Sequence, residues 1–522
     1  MSSTAPPYAV APFSFATQGF NGGINIRDSP DQLQPGDLWK CENVVFDNAG
    51  GLAKRLGERT TGPVGVGTER IISAYTFYRP GSNPQVLVHT SAGKMYYTSD
   101  VTATAITWTQ VVAGLSTTVP AAFETQNSKV YFAEGTLLGS WDGTTYAAVG
   151  GAPSGIYYLR TWKDTMWATT TGNPDRLYSS AAGDPGTWPA LNYVDILHGD
   201  GDSLTCLASD GLFLVAFKRR RAQVVYDPAS FANRTADFEK GCESHFSVVH
   251  MEDKMYYLSR LGVCWWQGDS SSRLISYKID PLFRPGNLNL SALGNVFAYQ
   301  LNDRCGWALP EAGSSVPTLT IEYYPRLGQV YQISGNIGPG PWSMHRLNAT
   351  AFTTVRQGTI EQLFGGSNTA NILLWIFSPD GTDNGATIVS TVQSGALSLG
   401  SPTLTKYLRR VKVVGRGKFS FQVKRNYEVG PTVTAPVNLL NSYDLWGGGN
   451  WGAGNWGISS DVQQQVINLD VYGKAFSIAI TDSETATGLQ NFPMGSKLNV
   501  LTVGEWAIYN LAFDCQTLGL RG

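Results

Sequence analysis

Four consecutive cations, Lys218-Arg219-Arg220-Arg221, form the densest basic run in the chain. Clustered Lys and Arg can contact phosphate, so this run is a candidate for gripping a nucleic-acid backbone. It lies between the β-prone segments Leu212–Phe217 and Ala222–Tyr226, and there the plainer reading is a charged hairpin end that blunts a sheet edge. A second basic set occupies Thr403 to Glu428. Lys406, Arg409, Arg410, Lys412, Arg416, Lys418, Lys424 and Arg425 are interleaved there with Tyr407, Val411, Val413, Phe419, Phe421 and Val423. Alternation with one charged face predicts a half-exposed hairpin turning at Gly415-Arg416-Gly417. Its basic face suits an acidic neighbouring subunit or DNA equally well. A third candidate surface is the Trp/Gly-rich loop 445–457, where Trp446, Trp451 and Trp456 recur every five residues. That spacing suits rings laid against another surface, or stacked on sugar, better than one shared core.

Other chemistry is less well supplied. Asp380-Gly381-Thr382-Asp383-Asn384-Gly385 is rich in oxygen ligands but lacks the spacing and bidentate Glu of a calcium loop, so a turn is expected. His198-Gly199-Asp200-Gly201-Asp202 reads the same way. The chain contains no Gly-Xaa-Ser-Xaa-Gly elbow, and no carboxylate pair stands out as a glycosidase couple. The six cysteines and five histidines are dispersed without the clustering that zinc requires. The expectation is a non-enzyme with buried reduced thiols, no metal and no cofactor.

The elements that position these residues are short strands. Of 522 residues, 15% are charged and 12% aromatic, and 58 are glycine, a balance that favours many turns over long helices. A formal charge of −2 gives no global pull toward nucleic acid or anionic lipid. No apolar run reaches membrane-spanning length, and the first residues lack the pattern of a secretory signal. A strand–turn–strand unit recurs at Lys94–Tyr97, Lys129–Phe132, Thr165–Trp167, Leu212–Val215 and Lys254–Tyr257. Weaker copies cover Phe297–Trp307, Leu327–Ile333 and Ile372–Phe377. Starts roughly 35 to 50 residues apart match propeller blades, and the meander from Cys242 to Asp269 reads as one of six or seven. The predicted fold is all-β: an N-terminal arm and capping segment (1–69) with a short helix in Asp31–Cys41, an irregular β-propeller (70–400), and a smaller C-terminal β-sandwich or jelly roll (401–522).

Several segments resemble virion proteins of tailed bacteriophages. GGINIRDSPDQLQPGD followed by NVVFDNAGGLAKRLG is similar to the N-terminal block of phage tail and head–tail proteins. NPDRLYSSAAGDPGTWPALNYVDI, FKRRRAQVVYDP and GCESHFSVVHMEDKMYYLSRLGVCWW resemble successive propeller segments. RRVKVVGRGKFSFQVKRNYE is similar to the C-terminal parts of such proteins. The nearest class is the tail nozzle, or tail-tube closing protein, of short-tailed phages. The resemblance implies a homo-oligomeric ring, six-fold by preference, in the virion tail. It would contact adaptor proteins and tail fibres or spikes, hold packaged double-stranded DNA and let it pass at ejection. Lys218, Arg219, Arg220, Arg221, Arg409, Arg410, Lys412, Trp446, Trp451 and Trp456 would be its channel or subunit contacts. The alternatives are a head–tail adaptor, a minor tail protein of a long-tailed phage, or a propeller that binds or cleaves host-surface glycan.

Overall fold

The computed structural model describes residues 13–16, 20, 22–34, 36–46, 51–65, 69–101, 106–251, 253–268, 270–330, 340–399, 402–439, 463–482 and 506–517. The chain divides into two compact units. One contains residues 58–323 and 346–377 and is a β-propeller. Its sheets are successive antiparallel meanders, as the repeat predicted. Their first strands are β1 (Ile71–Phe77), β2 (Ala122–Gln126), β3 (Ile156–Trp162), β4 (Leu204–Ser209), β5 (Val249–Met251), β6 (Phe297–Leu301) and β7 (Ala349–Gln357). These strands neighbour one another in that order, and β7 returns to β1, so among the described residues they form a closed ring. The sheets begun by β1 to β5 have four strands each. The sheet begun by β6 contributes Arg304–Leu309 and Leu319–Tyr323. The last sheet, β7 with Ile360–Ser367 and Ile372–Ser378, gains its fourth strand from Gly57–Pro63, far earlier in the chain. Pairing the two ends of a radial array removes the open edge that would otherwise invite aggregation.

Local chemistry explains the repeat. Gln126 pairs with Lys129 across Asn127-Ser128, Trp162 with Thr165 across Lys163-Asp164, and Leu301 with Arg304 across Asn302-Asp303. Asn127, Ser128, Lys163, Asp164 and Asn302 take positive φ of 47–58°, the backbone of two-residue hairpins whose twist matches the strands. The second strands then bury nearly every residue, as in Thr165–Thr170 and Leu214–Lys218, because a blade is covered on both faces. In Lys254–Ser259 and Gly262–Gln267, Tyr257 and Trp266 pack with Phe217 on one face. Tyr256 meets Tyr323 on the other. Polar ties cross between blades too. The buried Gln85 amide accepts from Trp141 Nε1 at 3.0 Å and donates to the Gly143 carbonyl at 3.0 Å. Trp141→Phe keeps an aromatic ring but leaves a small void and orphans Gln85 Oε1, and should cost about 1–3 kcal/mol or more in chemical denaturation.

The second unit comprises residues 1–57, 324–345 and 378–522. It is centred on β8 (Lys406–Arg425), a single strand of 20 residues. The hairpin expected at Gly415-Arg416-Gly417 is corrected: the chain runs straight through. The first half of β8 pairs with Gln463–Gly473 on one edge and Trp506–Thr517 on the other; the second half pairs with Val433–Leu439 and Phe476–Thr481. Four partners saturate both edges, so neither glycine makes a turn: Gly415 lies at a register shift and Gly417 takes φ +87° within the strand. Leu408, Val411, Val413, Phe419, Phe421 and Val423 are buried. The change from even to odd positions follows the bulge between Leu408 and Arg410.

The N-terminal segment belongs to this same unit. Asp37–Glu42 is a strand pairing with Thr391–Ser394, where a short helix was expected. Leu52–Lys54 pairs with Trp506–Thr517. The C-terminal β unit therefore draws on more of the chain than residues 401–522. Among the described residues Leu327–Ile333 supplies no blade strand: Pro325–Val330 is an α-helix, and 331–333 lie outside the described residues. The start of the meander is likewise changed: Phe246–Val249, expected as its first strand, opens in a 3₁₀ turn at His245–Ser247, and the strand β5 begins only at Val249.

Candidate functional site

Lys218 was grouped with Arg219, Arg220 and Arg221 as a phosphate contact, and the structure separates them. Lys218 ends a second strand and is buried, 1% exposed. Its ammonium donates to Asp175 Oδ1 at 3.0 Å, Asp200 Oδ1 at 2.5 Å and the Leu197 carbonyl at 3.0 Å. Burial acts to raise the Asp200 carboxyl, but the hydrogen bonds from Lys218 and the Asp202 N–H outweigh it and hold the group below the usual range. Here a cation is desolvated only because two carboxylates and a carbonyl replace its water. That geometry also gives a role within His198–Asp202: its Asp200 is a counter-ion of Lys218. Arg219 and Arg220 are exposed and Arg221 is half-buried.

The basic stretch of the second unit departs from the single charged face expected of it at Lys406, which is buried with its ammonium on the Leu404 and Lys474 carbonyls at 3.1 and 2.9 Å. Arg409, Arg410 and Lys412 are exposed on the outward face of β8. Arg410 Nε lies 2.9 Å from Asp514 Oδ2, across the strand pair. Beside them Val466 and Tyr472 are exposed, and Tyr472 stacks on Tyr407 with ring centroids 4.5 Å apart. Trp446, Trp451 and Trp456 lie outside the described residues. Asp380–Gly385 is a two-residue hairpin with positive φ at Asn384 and Gly385. Its Asp383 carboxylate is gripped by both terminal nitrogens of the buried Arg55 at 2.9 and 2.6 Å. Among the described residues no group of three metal-ligating side chains converges, and no helix is long and apolar enough to cross a membrane.

A cluster that the sequence did not announce lies on the propeller axis. Inner strands are covered outward by their own blades and sideways by the next, so solvent reaches their half-buried side chains along the axis. Glu124 on β2 and Arg160 on β3 are 17% and 29% exposed, with Arg160 Nη1 3.7 Å from Glu124 Oε2. On β1, Tyr75 hydrogen-bonds Thr125 at 2.8 Å and stacks on Phe123 at 5.3 Å. His250 on β5 donates from Nε2 to the Ser209 carbonyl at 2.7 Å. The charge of Arg160 bears on Tyr75, Glu124, Cys206, His245 and His250, which come from four other stations of the ring. Burial raises the Glu124 carboxyl above its ordinary range against the pull of Arg160 and Thr161. A signal existed in the sequence: Tyr75, Glu124 and Arg160 each stand two residues before the end of a first strand, so the repeat places them side by side.

Aromatic rings also meet across this axis. Tyr158 on β3 stacks on His245, ahead of β5, at 4.7 Å, while between adjacent blades Phe246 stacks on Phe297 of β6 at 4.6 Å. The blade begun by β4 stands between β3 and β5, so the Tyr158–His245 contact reaches across the ring. All six cysteines are buried and free.

No family model matches the chain, and no curated protein matches it. Among solved structures it is similar to the WD40 β-propeller domain of Doa1, at 9% identity and a TM-score of 0.39 over 62% of this chain and 98% of that one. BBS1N in complex with ARL6DN is similar at 10% identity and 0.41, over 63% and 98%. YCF48 bound to D1 peptide is similar at 12% and 0.37, over 65% and 98%. The propeller assignment rests on the closed ring of strands in this chain.

Proposed function

We propose that this chain is a structural subunit of a bacteriophage tail, acting in a homo-oligomeric ring around the path of DNA exit. The observation that carries the reading is the outward face of β8. It sets Arg409, Arg410 and Lys412 beside exposed Val466 and Tyr472 on a strand paired along both edges. A rigid sheet face mixing cations with apolar and aromatic groups is suited to a permanent neighbour. The resemblance to nozzle proteins supplies the class of neighbour: another copy of the chain, with adaptor proteins and fibres or spikes beyond. In this reading DNA passes through the space enclosed by several subunits, and the Tyr158–His245 contact across the propeller ring supports that over the bore of one propeller. The role is mechanical: the ring extends the tail, retains the packaged genome and opens a passage at infection.

Mass photometry and negative-stain imaging of the purified protein test this. Rings, six-fold by expectation, support it, and a monomer at micromolar concentration overturns it. The double variant Arg409→Glu with Lys412→Glu should dissociate the ring and leave subunit stability within about 1 kcal/mol, since exposed charges contribute little to folding. Assembly that survives the variant would remove β8 from the interface.

A further inference from the structure

We propose that Tyr427, in the turn that follows β8, is the anchor by which one copy of this chain docks on the next. The inference rests on the ring reading above and adds to its sheet face a residue that the sequence did not single out. It starts from the backbone. Arg425 to Glu428 form a tight turn, with the Glu428 N–H donating to the Arg425 carbonyl at 2.9 Å and φ of +47° at Asn426 and +66° at Tyr427. Positive φ at both central residues suits Gly, Asn or Asp, and a bulky side chain there crowds its own backbone. Where other bulky apolar residues take positive φ, packing offsets the cost. Phe377 and Leu399 are buried, and Phe231 packs edge-on against Trp167 at 5.8 Å. Tyr427 has no such compensation within the chain. It is 64% exposed, and among the described residues its ring meets no other ring and its hydroxyl makes no hydrogen bond. Strained positions that keep an exposed aromatic point to a use outside the subunit.

The turn is also braced. The Glu428 carboxylate accepts from Arg425 Nε at 2.8 Å and from Thr432 Oγ1 at 2.7 Å. Asn426 Oδ1 accepts from the Lys474 N–H at 2.8 Å, and the Asn426 N–H donates to the Ala475 carbonyl at 3.0 Å. A tip held this way loses little freedom on binding. The same bonds set it against residues 474–475, just beyond Tyr472, which is exposed and stacked on Tyr407. Val429, two residues past Tyr427, is 94% exposed. Three large exposed side chains gathered at one end of the sheet form a patch of the kind that monomers seldom leave in water. Through Tyr472 the patch is continuous with the stripe of Val466, Arg409, Arg410 and Lys412. That continuity commits its occupant to a second copy of this chain, since whatever covers the stripe reaches its end. Tyrosine suits an interface anchor, with a large ring, few rotatable bonds and a hydroxyl for a polar partner.

Tyr427→Gly on the full chain tests this, because glycine fits the turn and removes only the ring. Mass photometry should show subunit association weakened about tenfold or more. Urea denaturation followed by tryptophan fluorescence at nanomolar protein concentration should give a midpoint close to that of the native chain, the relaxed turn offsetting the looser unfolded chain. Rings that persist in Tyr427→Gly at native affinity overturn the proposal and leave the tail reading standing. Loss of rings together with a large fall in the denaturation midpoint assigns Tyr427 to folding and also overturns it. A native chain that is itself monomeric overturns both this proposal and the ring on which it rests.

Discussion

Lys218→Met is expected to destabilise the propeller by about 3 kcal/mol or more, because it leaves two carboxylates facing each other without their cation. Asp175 and Asp200 are 16% and 18% exposed. Their remaining water keeps the loss toward the lower end of the range for broken buried pairs. The neighbouring exposed cations give the contrast: Arg219→Ala and Arg220→Ala should each change stability by no more than about 0.5 kcal/mol. Urea denaturation of the three variants checks the separation. Equal, small effects at all three positions would mean that the buried ammonium does not hold the loops bearing Asp175 and Asp200.

Acid should weaken the propeller well before its carboxylates titrate. Burial lowers the pKa of His89 to about 4, of His245 to about 3 and of His250 to about 4. In the unfolded chain all three return to about 6.5. Between pH 6.5 and 4 the unfolded state therefore binds more protons than the folded one, so stability falls as pH falls through that window and is unaffected by these groups above it. If the propeller unfolds as one unit, the slope reaches at most about 4 kcal/mol per pH unit. Glu124 and Glu243, both raised by burial, work in the opposite sense: folding raises their proton affinity, so protonation offsets part of the loss at the acid end. His89 offers a clean check. Its Nε2 contacts the Ser116 carbonyl at 2.9 Å, and its Nδ1 accepts from the Ala121 N–H at 3.3 Å, a pattern that a Gln amide can imitate. Denaturation midpoints between pH 7 and 4.5 should fall steeply in the native chain and less steeply in His89→Gln. A flat profile in the native chain would contradict the buried neutral assignment.

Much of the architecture was legible from residues alone. Two-residue turns followed by runs such as Lys129–Phe132 and Lys254–Tyr257 specify hairpins locally, because positive-φ turn residues and alternating faces are properties of a few neighbours. The regular spacing of those hairpins then implied blades. Gly415-Arg416-Gly417 misled for the complementary reason. A glycine pair signals a turn only when no partner strands lie alongside, and those partners, Gln463–Gly473 and Trp506–Thr517, come from far along the chain.

The basic run Lys218–Arg221 shows the same limit in its chemistry. Sequence determined that four cations adjoin a strand end. It did not determine that the first would turn inward, since that depends on Asp175 and Asp200, which arrive from the preceding blade. The Tyr75, Glu124 and Arg160 cluster is the clearest instance: three residues spread over 86 positions meet only because the blades are radial. Local residue order fixed the turns, the alternation and the blade repeat. The closed ring alone decided which of the propeller's charges are buried in pairs, which face the axis and which remain on the surface, because burial and charge pairing are set by neighbours that the chain supplies from a distance.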